Sequence, residues 1–310
     1  MRVAGSISCF PQTPFRLQAM VMKRIRAGDL DVAYEESGNG TPVMLLHGFP
    51  YDVHAYDEVT PILAGAGCRV IVPYLRGYGP TRFLSPATLR SGQQAVLAHD
   101  LIALMDALSI PKAVLAGYDW GGRAACIVAA LWPERARGLV SGVGYNIQDI
   151  LGSVKPAAPE QESRYWYQYY FHSERGRAGL DQNRHALCKL LWKQWSPHWE
   201  FDDATYERSA AAFDNPDFVP VVIHSYRHRY GLVAGDPSAE ETERRLASQP
   251  RISVPTISID GDGDGVTPGG SAQHQRFFTG RYERRVLPRI GHNVPQEAPA
   301  DFAQAVLALV

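Results

Sequence analysis

Residues 113–131 constrain the fold more than any other stretch of the chain. Ala113-Val114-Leu115-Ala116 is a short apolar run that reads as a buried strand. Gly117-Tyr118-Asp119-Trp120-Gly121-Gly122-Arg123 follows, and small and apolar residues then continue from 124 to 131 as a helix. Strand, sharp turn and helix are packed into one unit. Gly117 and Gly121 lack a Cβ and leave room for a turn that larger residues would crowd. The residue between them is pushed to the strand end with its side chain exposed. An aspartate there has two readings: an acid presented for chemistry, or a cap on the helix N-terminus. The rest of the chain decides between them.

At 310 residues the chain suits one large α/β domain with an insertion. A formal net charge of -1 supplies no basic field, so no nucleic-acid partner is expected. Cys9, Cys68, Cys126 and Cys188 are scattered without a C-x-x-C pair, which fits reduced thiols in a cytoplasmic protein and gives neither a disulfide framework nor a zinc site. No apolar run reaches membrane-spanning length, so no membrane association is expected. Residues 1–20 carry Pro11 and Pro14 and lack an apolar core, which reads as a loose tail rather than a signal peptide.

From residue 21 the pattern alternates. A hairpin is expected over 21–26 and 30–35, with buried strands at 42–46 and 68–73 and further strands at 113–117, 136–143, 255–260 and 282–287. Helices are expected at 59–65, 91–108, 124–131, 271–278 and 298–310. This is an α/β fold: a mostly parallel sheet with helices on both faces. The alternation lapses over roughly 144–251, where aromatic residues, His and Arg are frequent and helices are expected at 160–175, 183–195, 203–213 and 219–230. That length is too great for a loop and reads as an inserted helical cap. The expected organisation is a tail (1–20), a core (21–144), a cap (145–251) and the rest of the core (252–310).

Two further stretches carry chemistry. Gly261-Asp262-Gly263-Asp264-Gly265 follows a late strand, and Arg289-Ile290-Gly291-His292-Asn293 follows the last one. Either alone is compatible with an ordinary surface loop. Together with Asp119 they give acid, acid and histidine in the order nucleophile, orienting acid, base. All three are expected at carboxyl ends of strands, where open α/β sheets place their sites. His224 and His228 share helical spacing, but no nearby acid completes a ligand set, so no metal and no cofactor is expected.

On His47-Gly48-Phe49-Pro50, Gly117-Tyr118-Asp119-Trp120-Gly121-Gly122, Gly261 with Asp264, and Gly291-His292, the chain resembles the α/β-hydrolase superfamily over nearly its whole length. Within it the epoxide hydrolases are most similar, with haloalkane and fluoroacetate dehalogenases as cousins. The resemblance implies an Asp119 nucleophile, His292 as base and Asp264 as its partner, with Asp262 the fallback. It implies an oxyanion site made by the backbone N–H groups of Phe49 and Trp120, with His47 in the same loop. A carboxylate nucleophile suits in-line attack at saturated carbon, giving an alkyl ester that water then hydrolyses. Opening an epoxide also needs an acid for the leaving oxygen. By resemblance two cap tyrosines supply it: Tyr170, with Tyr169 as runner-up, in Tyr167-Gln168-Tyr169-Tyr170-Phe171, and Tyr226 in Ser225-Tyr226-Arg227.

A dehalogenase would instead need N–H donors for halide. Trp120 fits, and Trp166 is the candidate second donor, because Phe49 stands where an asparagine is common. Arg123 resembles a carboxylate clamp of the fluoroacetate dehalogenases, but Trp120 replaces that family's second arginine. Arg76-Gly77-Tyr78-Gly79 resembles the family's loop beside the pocket, but continues differently as Pro80-Thr81-Arg82. A non-catalytic ligand receptor on this fold has no use for a base that activates water, and a serine esterase lacks its hydroxyl at 119. The expected partners are a small apolar or aromatic substrate and water.

Overall fold

The computed structural model describes residues 21–310, so the expected tail 1–20, with Cys9, lies outside the described residues. The chain begins with the antiparallel hairpin of β1 (Val21–Ala27) and β2 (Leu30–Ser37), with Ala27 opposite Leu30. It continues through β3 (Thr41–Leu46), α1 (Val59–Gly65), β4 (Cys68–Pro73), the short β5 (Arg82–Phe83), α2 (Gln94–Ala107), β6 (Ala113–Gly117), α3 (Asp119–Leu131) and β7 (Ala136–Gly142). Six helices follow with no strand between them: α4 (Pro159–Arg164), α5 (Trp166–His172), α6 (Glu174–Trp195), α7 (Asp203–Ala210), α8 (Phe218–His228) and α9 (Glu240–Leu246). The chain then returns through β8 (Thr256–Gly261), β9 (Tyr282–Leu287), α10 (Val294–Glu297) and α11 (Pro299–Leu307).

The strands form one sheet in the order β1-β2-β4-β3-β6-β7-β8-β9, with β5 paired to β2. From β4 to β9 every pairing is parallel. The central strands are continuous apolar runs because both faces are covered. Val43, Met44, Leu45, Val114, Leu115 and Ala116 are fully buried. α2 packs on α3 and β1, while α1 packs on α11 and β4, which puts a helical layer on each side of the sheet. Parallel order aligns the carboxyl ends of β3, β6, β8 and β9 along one edge, and the helices after β7 enter from that edge.

The structure corrects three sequence expectations. The single helix expected over 160–175 is three helices, broken at Tyr165 and at Ser173, whose hydroxyl accepts from the Gly176 N–H and starts α6. The helix expected over 271–278 is only the short 3-10 turn His274–Phe277. Its first turn is lost because the Ser271 N–H and hydroxyl both donate to the Asp260 carboxylate at 2.9 Å. α9 was not expected at all. It is held by Glu243, which accepts from the Gln93 and Gln94 amides and from the Ala95 N–H.

Candidate active site

β6 delivers Asp119 into a strained turn. Its φ is 49°, in the left-handed region, which costs a non-glycine residue about 1–3 kcal/mol. Close backbone packing enforces the geometry. A Cβ on Gly121 would sit 2.1 Å from the Leu46 carbonyl oxygen, and one on Gly117 would sit 2.7 Å from the Gly121 carbonyl carbon. Asp119 is therefore pressed against the end of β3, where its Oδ1 accepts from the Phe49 N–H at 2.8 Å.

His292 approaches from the turn after β9. Its Nδ1 lies 2.9 Å from Asp264 Oδ2, and its Nε2 lies 3.7 Å from Asp119 Oδ2, beyond hydrogen-bond length. Asp264 is further fixed by the Val266 and Thr267 N–H groups and by the Thr267 hydroxyl. Asp262 is exposed and accepts from the Arg289 N–H instead, so the structure brings Asp264, not Asp262, to the histidine. The histidine turn is anchored by groups that carry no sequence signal. The Ser196 hydroxyl accepts from the His292 N–H and donates to Glu297, and Glu297 accepts from the Gly291 and Asn293 N–H groups.

The electrostatics follow from this crowding. Burial alone would raise the Asp119 carboxyl, but the adjacent His292, the Arg123 charge and the Phe49 N–H outweigh it and hold it below the usual range. Burial opposes charge on His292 too. The charge of Asp264, reinforced by Asp119, overrides it and carries the imidazole up to about 10. The resting site therefore holds an imidazolium between two carboxylates.

Phe49 and Trp120 flank Asp119, their rings stacked at 5.7 Å between centroids. The Trp120 indole N–H is buried without a partner. Arg123 is 4 % exposed, and among the described residues it forms no salt bridge and its Nε has no partner. Burial, with the nearby Arg229 charge adding to it, pulls its guanidinium down to about 10.

His47 is a correction. Its Nδ1 lies 3.0 Å from the Gly48 carbonyl, and its Nε2 accepts from the Leu75 N–H at 3.1 Å. Burial lowers it to about 4, so the ring is a neutral brace between two loops with no nitrogen left for substrate. Trp166 is a second correction, because its indole N–H is spent on Gln194 at 3.0 Å.

Tyr226, on α8, is brought to the site. Its ring meets Phe49 at 5.4 Å and Trp120 at 6.1 Å. Tyr170 is not. Its hydroxyl lies against α6, only 2.0 Å from where a Cβ on Gly179 would stand. The runner-up Tyr169 is more than a third exposed and turns to Glu162. Tyr167 stands in their place, buried, 5.4 Å from Tyr226 and 6.5 Å from Phe49. Burial pushes both phenols up, Asp119 adding to it, so both are protonated at neutral pH. The missed signal was helical period. Tyr167 and Phe171 share one buried face of α5 at i, i+4, and Tyr170 falls beside it.

Among the described residues no group of three or more His, Cys, Asp or Glu side chains is arranged to hold a metal ion, and no helix is long and apolar enough to cross a membrane.

Residues 41–299 match the family described as the alpha/beta hydrolase fold. An epoxide hydrolase of Caballeronia sordidicola is 36% identical over 310 residues, covering 91% of this chain and 91% of its own. Bifunctional epoxide hydrolase 2 of Mus musculus is 34% identical over 108 residues, 35% of this chain, a match that spans only 19% of the mouse protein. The crystal structure of a candidate epoxide hydrolase from Klebsiella pneumoniae has a TM-score of 0.92 and 50% identity, covering 93% of this chain and 96% of that one.

Proposed function

The chain belongs to the α/β-hydrolase family, and from that premise we propose that it opens epoxides to vicinal diols through an ester on Asp119. The observation that carries the reading is the packing of two buried, protonated phenols, Tyr167 and Tyr226, around Phe49, whose backbone N–H holds the ionised Asp119 carboxylate. A carboxylate supplies the nucleophile, and the phenols supply the acid that an epoxide oxygen needs. In this reading residues 145–251 are a cap that carries the acid to the nucleophile.

Oδ1 of Asp119 is tied to the Phe49 N–H, which leaves Oδ2 to attack. The new bond forms between Oδ2 and an epoxide carbon. The carbon–oxygen bond of the ring breaks, and the departing oxygen takes a phenol proton. Ester formation removes the Asp119 charge that helps hold His292 up. His292 then yields its proton, which restores the phenol, and its free Nε2 takes a proton from water. The resulting hydroxide attacks the Asp119 carboxyl carbon. Oδ1 becomes the oxyanion and stays on the Phe49 N–H, with the Trp120 N–H as second donor; one such donor contributes about 3 kcal/mol. Collapse of the intermediate sends the proton of the new hydroxyl out with the diol. Asp119 and His292 return to carboxylate and imidazolium.

The test uses His292→Gln incubated with styrene oxide. The expected result is the whole epoxide mass on the peptide carrying Asp119. No adduct would overturn the reading. One observation favours a second reading, displacement of halide from a haloacid: among the described residues neither the buried Arg123 Nε nor the buried Trp120 indole N–H has a partner, and Arg123 pairs with no carboxylate. An adduct with chloroacetate that lacks the halogen, and none with the epoxide, would establish that alternative.

A further inference from the structure

Gln168 follows Tyr167 on α5 and is 2 % exposed. Its amide is held at both ends. Oε1 accepts from Arg229 Nη1 at 2.9 Å and from the Tyr230 hydroxyl at 3.0 Å. Two donors on the oxygen fix which end of the amide is which, so Nε2 must face the Tyr167 hydroxyl, to which it donates at 2.9 Å. Arg229 has its other N–H groups satisfied as well: the Gln148 amide oxygen, in the orientation that suits its neighbours, accepts from Nε and Nη2. The guanidinium also stands over the Tyr226 ring, 5.6 Å from its centroid. Arg229, Gln168 and Tyr230 line one side of an open cleft of about 520 Å³ at the surface of the helical segment, and the phenols lie behind them.

The directions of these hydrogen bonds have a chemical consequence. A phenol that accepts from a neighbour cannot return its proton to that neighbour. Its own O–H must turn elsewhere, and Tyr167 packs beside Phe49 and Tyr226, with ring centroids 6.5 and 5.4 Å away. We propose that Arg229, Tyr230 and Gln168 form a fixed relay behind Tyr167 that presents its hydroxyl to the epoxide oxygen only as a donor. This rests on the epoxide reading above and assigns the relay to its first half. Gln168 and Arg229 are positioning residues, since they act through Tyr167.

The sharpest variant is Gln168→Glu. It keeps the size and the acceptor toward Arg229 and Tyr230. It replaces the donor toward Tyr167 with a second acceptor, so Tyr167 turns its proton back to residue 168. Single-turnover kinetics with styrene oxide separate ester formation from ester hydrolysis. The expected result is a fall of about 10²-fold in ester formation, with ester hydrolysis within twofold of wild type. Arg229→Met should slow the same step, and Arg229→Lys should recover part of it. Equal losses in both steps would mark a structural lesion and overturn the relay, as would Gln168→Glu at the wild-type rate. A second measurement does not need turnover. Phenylacetamide offers a carbonyl acceptor that no nucleophile opens, and its binding by calorimetry should weaken about tenfold in Gln168→Glu. Equal binding to both forms, or to neither, overturns the relay. If the wild type makes no ester from styrene oxide, the epoxide reading fails on its own, and the amide still reports the direction of the Tyr167 donor.

Discussion

The two walls of the site are built differently. The sheet wall presents charge from the turns that follow the strands: Asp119 and Asp264 accept from backbone N–H groups, and His292 is held by Asp264 and by its own N–H on Ser196. The helical wall presents neutral phenols, Tyr167 and Tyr226, held by ring packing and by side chains such as Gln168 and Arg229. A side chain at a strand end is placed by the strand's register, which hydrogen bonds set residue by residue. A side chain on a helix is placed by which face packs. A register of that kind can be read from sequence, whereas a packed face must be seen.

The largest expected effect falls on the sheet wall. Asp119→Asn removes the proposed nucleophile and should lower kcat/KM on an epoxide by more than about 10⁴-fold, as loss of a nucleophile does in comparable enzymes. The fold should be retained, which circular dichroism checks. A residual rate within tenfold of wild type would mean that the two walls do not divide the work as described.

On the helical wall the prediction separates neighbours on one helix. Tyr167→Phe should slow turnover by about 10²-fold and Tyr226→Phe by a similar factor, the range for loss of a general acid. Tyr170→Phe should stay within twofold. Steady-state rates on styrene oxide decide this, and a Tyr170 variant as impaired as Tyr167 would return the acid to Tyr170.

The charge difference between the walls also predicts a pH signature. His292 is raised in the folded protein to about 10 from an ordinary value of 6.5. Its stabilising contribution is therefore complete below pH 6.5 and is lost as pH rises toward 10. The wild-type Tm should fall across that window by more than the Tm of His292→Gln. The Tyr167→Phe variant should follow the wild type, because its phenol is not ionised there. Parallel curves for all three would remove His292 from the account.

The smallest effect expected is at the junction. Ser196→Ala deletes both hydrogen bonds of the hydroxyl, from the His292 N–H and to Glu297, about 1 kcal/mol each. It should slow ester hydrolysis several-fold while leaving ester formation unchanged in a rapid-quench experiment. A loss in the first step instead would place Ser196 with the helical wall.

The same contrast explains what was legible in the sequence. β4 and β6 read correctly because buried parallel strands are short apolar runs with turn residues at both ends, and the part-exposed β9 (Tyr282–Leu287) also stands where the sequence places a strand. Asp119, Asp264 and His292 were read from those ends, and the structure brings the three together. The aromatic run 165–171 offers six rings, and motif position points to Tyr170 where packing against Gly179 turns that ring away. Trp166 misled for the same reason, since nothing local shows that Gln194 takes its N–H. His47 was placed by its motif, but its role as a brace depends on Leu75, which is distant in sequence. Ser196 and Arg229 act on residues far away in the sequence, His292 and Gln168, and no short spacing marks them.

The end of α6 is bolted to the sheet at several points. The Trp195 carbonyl accepts from the Gly265 and His292 N–H groups, Ser196 ties His292 to Glu297, and the Trp192 indole donates to the Pro50 carbonyl. Kinematically this makes the helical segment a poor hinged lid, since lifting it would drag the base out of register with its own carboxylates. Traffic of substrate and diol must then use small displacements on the side of the segment away from these fastenings. The molecule is better pictured as a clamped vessel with a side port than as a box that opens.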